Sequence, residues 1–220
     1  MMKRILCVSI IALVLTACSD NKAYETAVCT LADISGTYAD QKPDIIRIIK
    51  AGIIPNLNPG DSLFFITIDS NSYDEENLKY KLTLDYIPSK ASEQKLAFAS
   101  NLDSFAKNDA RAKFTDISGA MMLCSDYLKK TGSGTQGIMI FSDMKEELQA
   151  GLKREFSEDE FKNMDIAAMN VIKLGGDSTN PEVYRSRLAD WEKRVKSAGA
   201  ATWNTIIDPT KIPEYIESIK

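Results

Sequence analysis

Three short runs, Thr26–Ala32, Asp61–Asp69 and Gly137–Ser142, are apolar nearly throughout rather than at every second residue. A strand with one wet face alternates, whereas a strand covered on both faces does not. Chains with several such runs are confined to a sheet buried between helical layers. The intervening segments supply those layers. Pro43 suits the first turn of a helix, and Ile45, Ile46, Ile48, Ile49 and Ile53 then form one stripe. Further stripes are Leu96, Ala99, Leu102 and Phe105 within Ser92–Lys107, and Met121, Cys124 and Leu128 in the helix opened by Thr115. Val183, Leu188, Trp191 and Val195 mark another helix over Pro181–Ser197. Lys79–Ile87 does alternate, with Tyr80, Leu82, Leu84 and Tyr86 on one face, as expected of an antiparallel edge strand. Strands are also predicted within Asp165–Leu174 and at Ala201–Ile207, a turn at Gly175-Gly176-Asp177, one or two helices over Glu146–Lys162, and a closing helix over Pro213–Lys220. The predicted fold is α/β and doubly wound: a mostly parallel six-stranded sheet with one antiparallel edge strand and helices on both faces. Ligands of such sheets bind beyond the carboxyl ends of the strands.

The first residues read as a targeting signal. Lys3 and Arg4 precede an apolar run, Ile5 to Thr16, that is too short for a transmembrane helix. It closes on Leu15-Thr16-Ala17-Cys18, which resembles a bacterial lipoprotein box with Cys18 as the acylated N-terminus. Ser19 follows, resembling the pattern for export to the outer membrane. The expected organisation is a signal peptide over residues 1–17, a lipidated tether over 18–25 and one domain over 26–220. The setting is extracytoplasmic, at the cell membrane or outer membrane. Losing the signal removes two basic residues and no acidic one, so the net charge moves from −4 to −6. That balance, without a basic cluster, argues against nucleic acid. No histidine is present, which excludes His-based acid–base catalysis, Ser-His-Asp triads and His-ligated zinc. Cys7 leaves with the signal. Cys29 on a strand and Cys124 on a helix are expected to be separate buried residues, because strand–helix layers rarely bring Cα atoms within about 7 Å.

The run Cys29 to Ala32 stops on Asp33, and Asp33-Ile34-Ser35-Gly36-Thr37 then places three hard oxygen donors within five residues. Such donors suit Mg²⁺, Mn²⁺ or Ca²⁺. Thr115 opens a helix, and the run Gly137 to Ser142 ends on Asp143. Together, Asp33-Ile34-Ser35-Gly36-Thr37, Thr115 with Ala120, and Phe141-Ser142-Asp143 resemble the Asp-x-Ser-x-Ser motif, threonine loop and second aspartate of von Willebrand factor type A domains. The resemblance spans the whole mature chain. It departs from the family at Thr37, which keeps the oxygen, and at Met144, where the family often has glycine. It implies a metal-ion-dependent adhesion site: Ser35, Thr37 and Thr115 as direct ligands, and Asp33 and Asp143 as ligands directly or through water. The bound ion would take a carboxylate from an acidic protein partner. The expected role is therefore binding rather than catalysis. A rival resemblance is the Asp-x-Asp-Gly-Thr motif of haloacid dehalogenase-like phosphatases, in which Ser35 replaces the aspartate that protonates the leaving group.

Overall fold

The structure is a computed structural model and describes residues 22–169 and 180–220. The expected signal, Cys18 and the Gly175-Gly176-Asp177 turn lie outside the described residues. Six strands form one sheet: β1 (Thr26–Asp33), β2 (Ser62–Ile68), β3 (Leu78–Thr83), β4 (Thr135–Phe141), β5 (Asp165–Met169) and β6 (Thr202–Ile206). Their order is β3-β2-β1-β4-β5-β6. Only the β2–β3 pair is antiparallel. Every residue of β1 and β2 is buried, as their continuous apolar runs demand, whereas β3 alternates between half-buried and exposed.

The helices are α1 (Lys42–Ile48), α2 (Pro88–Ala106), α3 (Ile117–Thr131), α4 (Pro181–Ser197) and α5 (Ile212–Ile219). The two-residue period of β1 sorts them into layers. Ala27, Cys29 and Leu31 join a core with Ala120, Met121 and Cys124 of α3 and Trp191 and Val195 of α4. Val28 and Ala32 join the opposite core with Ile45 of α1, Leu102 of α2 and Ile216 of α5. Among the described residues, no helix is long and apolar enough to cross a membrane.

Four expectations are corrected. Leu96 is 73% exposed, because α2 buries Ala91, Phe98, Leu102 and Phe105, and Leu96 lies about 200° around the helix from Phe98. Val183 is 51% exposed, because Tyr184, Leu188, Trp191 and Val195 form the inward stripe, one residue out of phase with it. Replacing Leu96 by Gln is accordingly expected to change the unfolding free energy by no more than about 0.5 kcal/mol in a denaturant titration.

Glu146–Lys162 contains no helix. Its polar groups are committed to distant partners: Glu147 exchanges backbone hydrogen bonds with Thr115, Glu146 accepts from the Ser118 N–H, and Arg154 grips Asp116. Gly151 also adopts a left-handed φ of 87°. Finally, Cys29 and Cys124 form a disulfide with Cα atoms 5.9 Å apart. Helix α3 carries Ala120 one turn before Cys124 on the same buried face, and Ala27 lines the strand beneath. These small side chains let the two layers approach within bonding reach.

Candidate metal centre

The sheet order reverses between β1 and β4, and their carboxyl ends carry the site. Ala32 and Phe141 are register partners, so Asp33 and Ser142 emerge side by side. Asp33 is 1% exposed and Ser142 fully buried. One Asp33 oxygen accepts hydrogen bonds from the Ser35 N–H at 2.8 Å and the Ser35 hydroxyl at 2.6 Å. The other accepts from the Ser142 hydroxyl at 2.6 Å. The Thr115 hydroxyl donates to Ser35 Oγ at 2.6 Å. Three loops thus converge through one chain of oxygens, Ser142–Asp33–Ser35–Thr115.

Each member is held by neighbouring structure. A 3-10 turn over Gly36–Gln41 begins immediately after Ser35, entered through the positive φ of Gly36. Ala112 brackets the turn: its N–H donates to the Ile34 carbonyl at 2.9 Å, and its carbonyl accepts from Gly36 at 3.4 Å. Lys42, itself buried, holds this bracket by donating to the carbonyls of Asn108 and Ala110. That burial, and the nearby Arg111 cation, lower the Lys42 pKa. Thr115 is clamped by reciprocal hydrogen bonds with Glu147, of 2.8 and 2.9 Å. Asp116 caps α3 through the Gly119 N–H at 2.8 Å and accepts from the Ser72 N–H at 2.9 Å and from Arg154 at 2.7 Å.

Asp143 is half-buried and accepts from the Lys145 N–H at 2.8 Å. Its carbonyl accepts from Arg187 at 3.0 Å. Met144 follows at a φ of 61°, a left-handed conformation that favours glycine. Burial of the Met144 side chain and the 2.8 Å hydrogen bond from the Trp191 indole to its carbonyl hold it there.

The electrostatics follow from burial. Desolvation raises the Asp33 pKa to about 6, opposed by the hydrogen bonds from Ser142 and Ser35 and assisted by the Asp143 charge. Burial also raises Asp143. The Tyr38 hydroxyl is pushed up by its own burial and then by the charges of Asp33 and Asp143.

Of the five residues expected from sequence, Asp33, Ser35 and Thr115 meet directly. Asp143 lies close enough to act on Asp33 but makes no hydrogen bond to this trio among the described contacts. Thr37 lies in the 3-10 turn, and its side chain is outside the described residues. Sequence reasoning missed Ser142, although it adjoins Asp143 at the strand end, and it missed the Asp116–Arg154 pair entirely. No group of three or more Asp, Glu or Cys side chains converges as a cation site among the described residues. The donor set is instead hydroxyls with two carboxylates. These are hard oxygen donors, the kind that suit a small divalent cation.

No protein-family model matches the sequence, and neither does any curated protein. A von Willebrand factor type A protein from Catenulispora acidiphila superposes with a TM-score of 0.52 at 10% identity, over 88% of this chain and 41% of that one. This chain therefore spans about two-fifths of that protein. The conserved hypothetical protein BatB from Bacteroides thetaiotaomicron gives 0.50 at 13% identity, over 88% of this chain and 98% of its own. The chain has the von Willebrand factor type A fold. The PilB minor pilin from Streptococcus sanguinis, at a TM-score of 0.52 and 8% identity, covers 89% of this chain and 60% of its own. In this fold, the Ser142–Asp33–Ser35–Thr115 chain occupies the crevice where the strand order reverses.

Proposed function

We propose that this protein is a lipid-anchored, extracytoplasmic binding module that holds a divalent cation, Mg²⁺ or else Mn²⁺ or Ca²⁺, and through it an acidic protein partner. The observation that carries this reading is the convergence of Asp33, Ser35 and Thr115 from two separated segments into one oxygen cluster at the strand-order reversal. Ser35, Thr37 and Thr115 would hold the ion through hydroxyls, with Asp33 and Asp143 bound directly or through water. When bound, the cation supplies a coordination position for a carboxylate. Neutral hydroxyls leave it under-neutralised, which favours an anionic ligand. Ser142 orients Asp33, and the Glu147 clamp positions Thr115. The disulfide accords with an oxidising compartment.

Thermal unfolding tests the reading. At a Mg²⁺ or Mn²⁺ concentration 100 times its Kd, the wild-type protein should gain about 2.7 kcal/mol. For a domain of this size, that gain corresponds to roughly 5–10 °C in Tm. Asp33→Ala combined with Ser35→Ala should abolish the shift while preserving a cooperative transition. A flat wild-type response to both ions overturns the metal reading. Turnover of a generic phosphate ester with Mg²⁺, lost in Asp33→Asn, would replace it with the phosphatase.

The response should also depend on pH. Asp33 titrates near pH 6 in the fold, above the ordinary carboxylate range, so without metal its contribution to stability declines as pH rises through that window. A cation must displace the same proton, so its affinity should be level above this pH and fall about tenfold per unit below it. Calorimetric titrations from roughly pH 4.5 to 7.5, on both sides of the raised Asp33 value, check this behaviour. An affinity independent of pH would remove Asp33 from the ligand set.

A further inference from the structure

We infer that the amino-terminal edge of the sheet, opposite the metal loops, docks on an anionic phospholipid surface. The inference takes its setting from the proposed acylation of Cys18 and its content from residues elsewhere. The chain entering the domain is strapped to the body. The Lys22 carbonyl accepts from the N–H groups of Glu25 at 3.1 Å and Gly134 at 3.0 Å, and the Glu25 carbonyl accepts from Thr135 at 3.3 Å. A Cβ on Gly134 would lie 2.1 Å from the Ala23 carbonyl oxygen, so only glycine allows this approach. The point where a lipid tether would join the domain is therefore defined. Cys18 precedes Lys22 by four residues, which reach no more than about 14 Å when extended.

A concavity of about 310 Å³ lies at that edge, lined by Lys22, Lys81, Lys130, Phe64, Tyr127 and the hydroxyl of Thr83. Ser62, which starts β2, pairs with Thr83 at the end of β3, and α3 ends beside them at Thr131. Lys22 lies 3.9 Å from Glu25. Among the described residues, no carboxylate comes within ion-pair range of Lys81 or Lys130. Lys130 instead stands 4.9 Å over the Tyr127 ring. Three ammonium groups thus gather on a protein whose net charge is −4. Tyr24, two residues beyond Lys22, is 96% exposed, and Tyr86 and Ile87 on the same edge are 69% and 49% exposed. Lysines with exposed aromatic residues match the charge and amphipathic depth of a headgroup layer. Docking there would hold the metal loops roughly 23 Å further out, at the usual rise of about 3.3 Å per residue along β1.

The test uses the full chain, purified from solubilised membranes and reconstituted into phosphatidylethanolamine vesicles with or without about 30% phosphatidylglycerol, a typical anionic load. Lysine acetylation rates are read by mass spectrometry. Lys81 and Lys130 should react about threefold or more slowly on the anionic vesicles, while Lys107 and Lys193 on other faces should not change. Added salt at about 0.5 M should erase the difference. Lys81→Gln with Lys130→Gln should also remove the protection of Lys22. Equal rates on both vesicle types, or protection shared by every lysine, overturn the docking face. The mass of the mature N-terminus reads acylation of Cys18 separately, so failure of the anchor and failure of the docking face give different results.

Discussion

Reducing the Cys29–Cys124 disulfide should lower the unfolding free energy by about 4–5 kcal/mol, the chain-entropy value for a loop of about 100 residues. The bonded cysteines are 95 residues apart, so the bond constrains nearly half of the unfolded domain. For a domain of this size, the loss corresponds to roughly 10–20 °C in Tm. Cys29→Ala with Cys124→Ala should reproduce it, because both sulfurs are buried and alanine introduces no polar atom. Urea titrations with and without reductant measure the change, and coincident midpoints would contradict it. The bond also joins the strand that ends at Asp33 to the helix that begins just after Thr115. If the proposed cation site holds, reduction should therefore weaken Mg²⁺ binding under conditions where the domain remains folded.

Arg154→Ala should cost about 3–5 kcal/mol, the range for breaking a buried ion pair from one side. Asp116 is fully buried, and its carboxylate receives Arg154 Nε at 3.1 Å and an Nη at 2.7 Å. Without the guanidinium, the charge keeps only the Gly119 and Ser72 N–H groups as partners among the described residues. Arg154→Leu with Asp116→Asn should be destabilised by less than the sum of the two single changes, because the double change leaves no buried charge. A denaturant double-mutant cycle reads this, and strict additivity would show that the pair is not coupled. The same pair braces the residue after Thr115, so on the proposed metal reading Arg154→Ala should also lower cation affinity.

The legibility of the site followed sequence distance. Asp33 and Ser35 are two residues apart, and a strand that stops on an aspartate before a hydroxyl-rich turn declares itself locally. Thr115 and Asp143 stand out in the sequence because they too sit where an apolar or helical pattern starts or stops, but the structure joins only Thr115 to the cluster by a hydrogen bond among the described residues. Ser142 was overlooked because a serine inside a buried run reads as part of the strand, and its role exists only once β4 lies against β1. Arg154 lay in a charged stretch that was expected to be helical. Its partner is 38 residues away, and neither composition nor periodicity records such a pairing.

By itself, the sequence determined the layered architecture. Continuous apolar runs can be satisfied only between two helical faces, and the alternation that begins at Lys79 only at an edge, although the strand ends at Thr83 and leaves Tyr86 exposed. It also determined the chemistry available at the carboxyl ends of β1 and β4: hydroxyls and carboxylates, with no histidine. The tertiary structure decided which face of α2 and α4 turned inward, whether Cys29 reached Cys124, and which side chains closed around Asp33. Those outcomes depend on how closely the layers pack. Small residues such as Ala120 and Ala27 set that distance only when brought opposite one another, a property of the assembled core rather than of any local stretch.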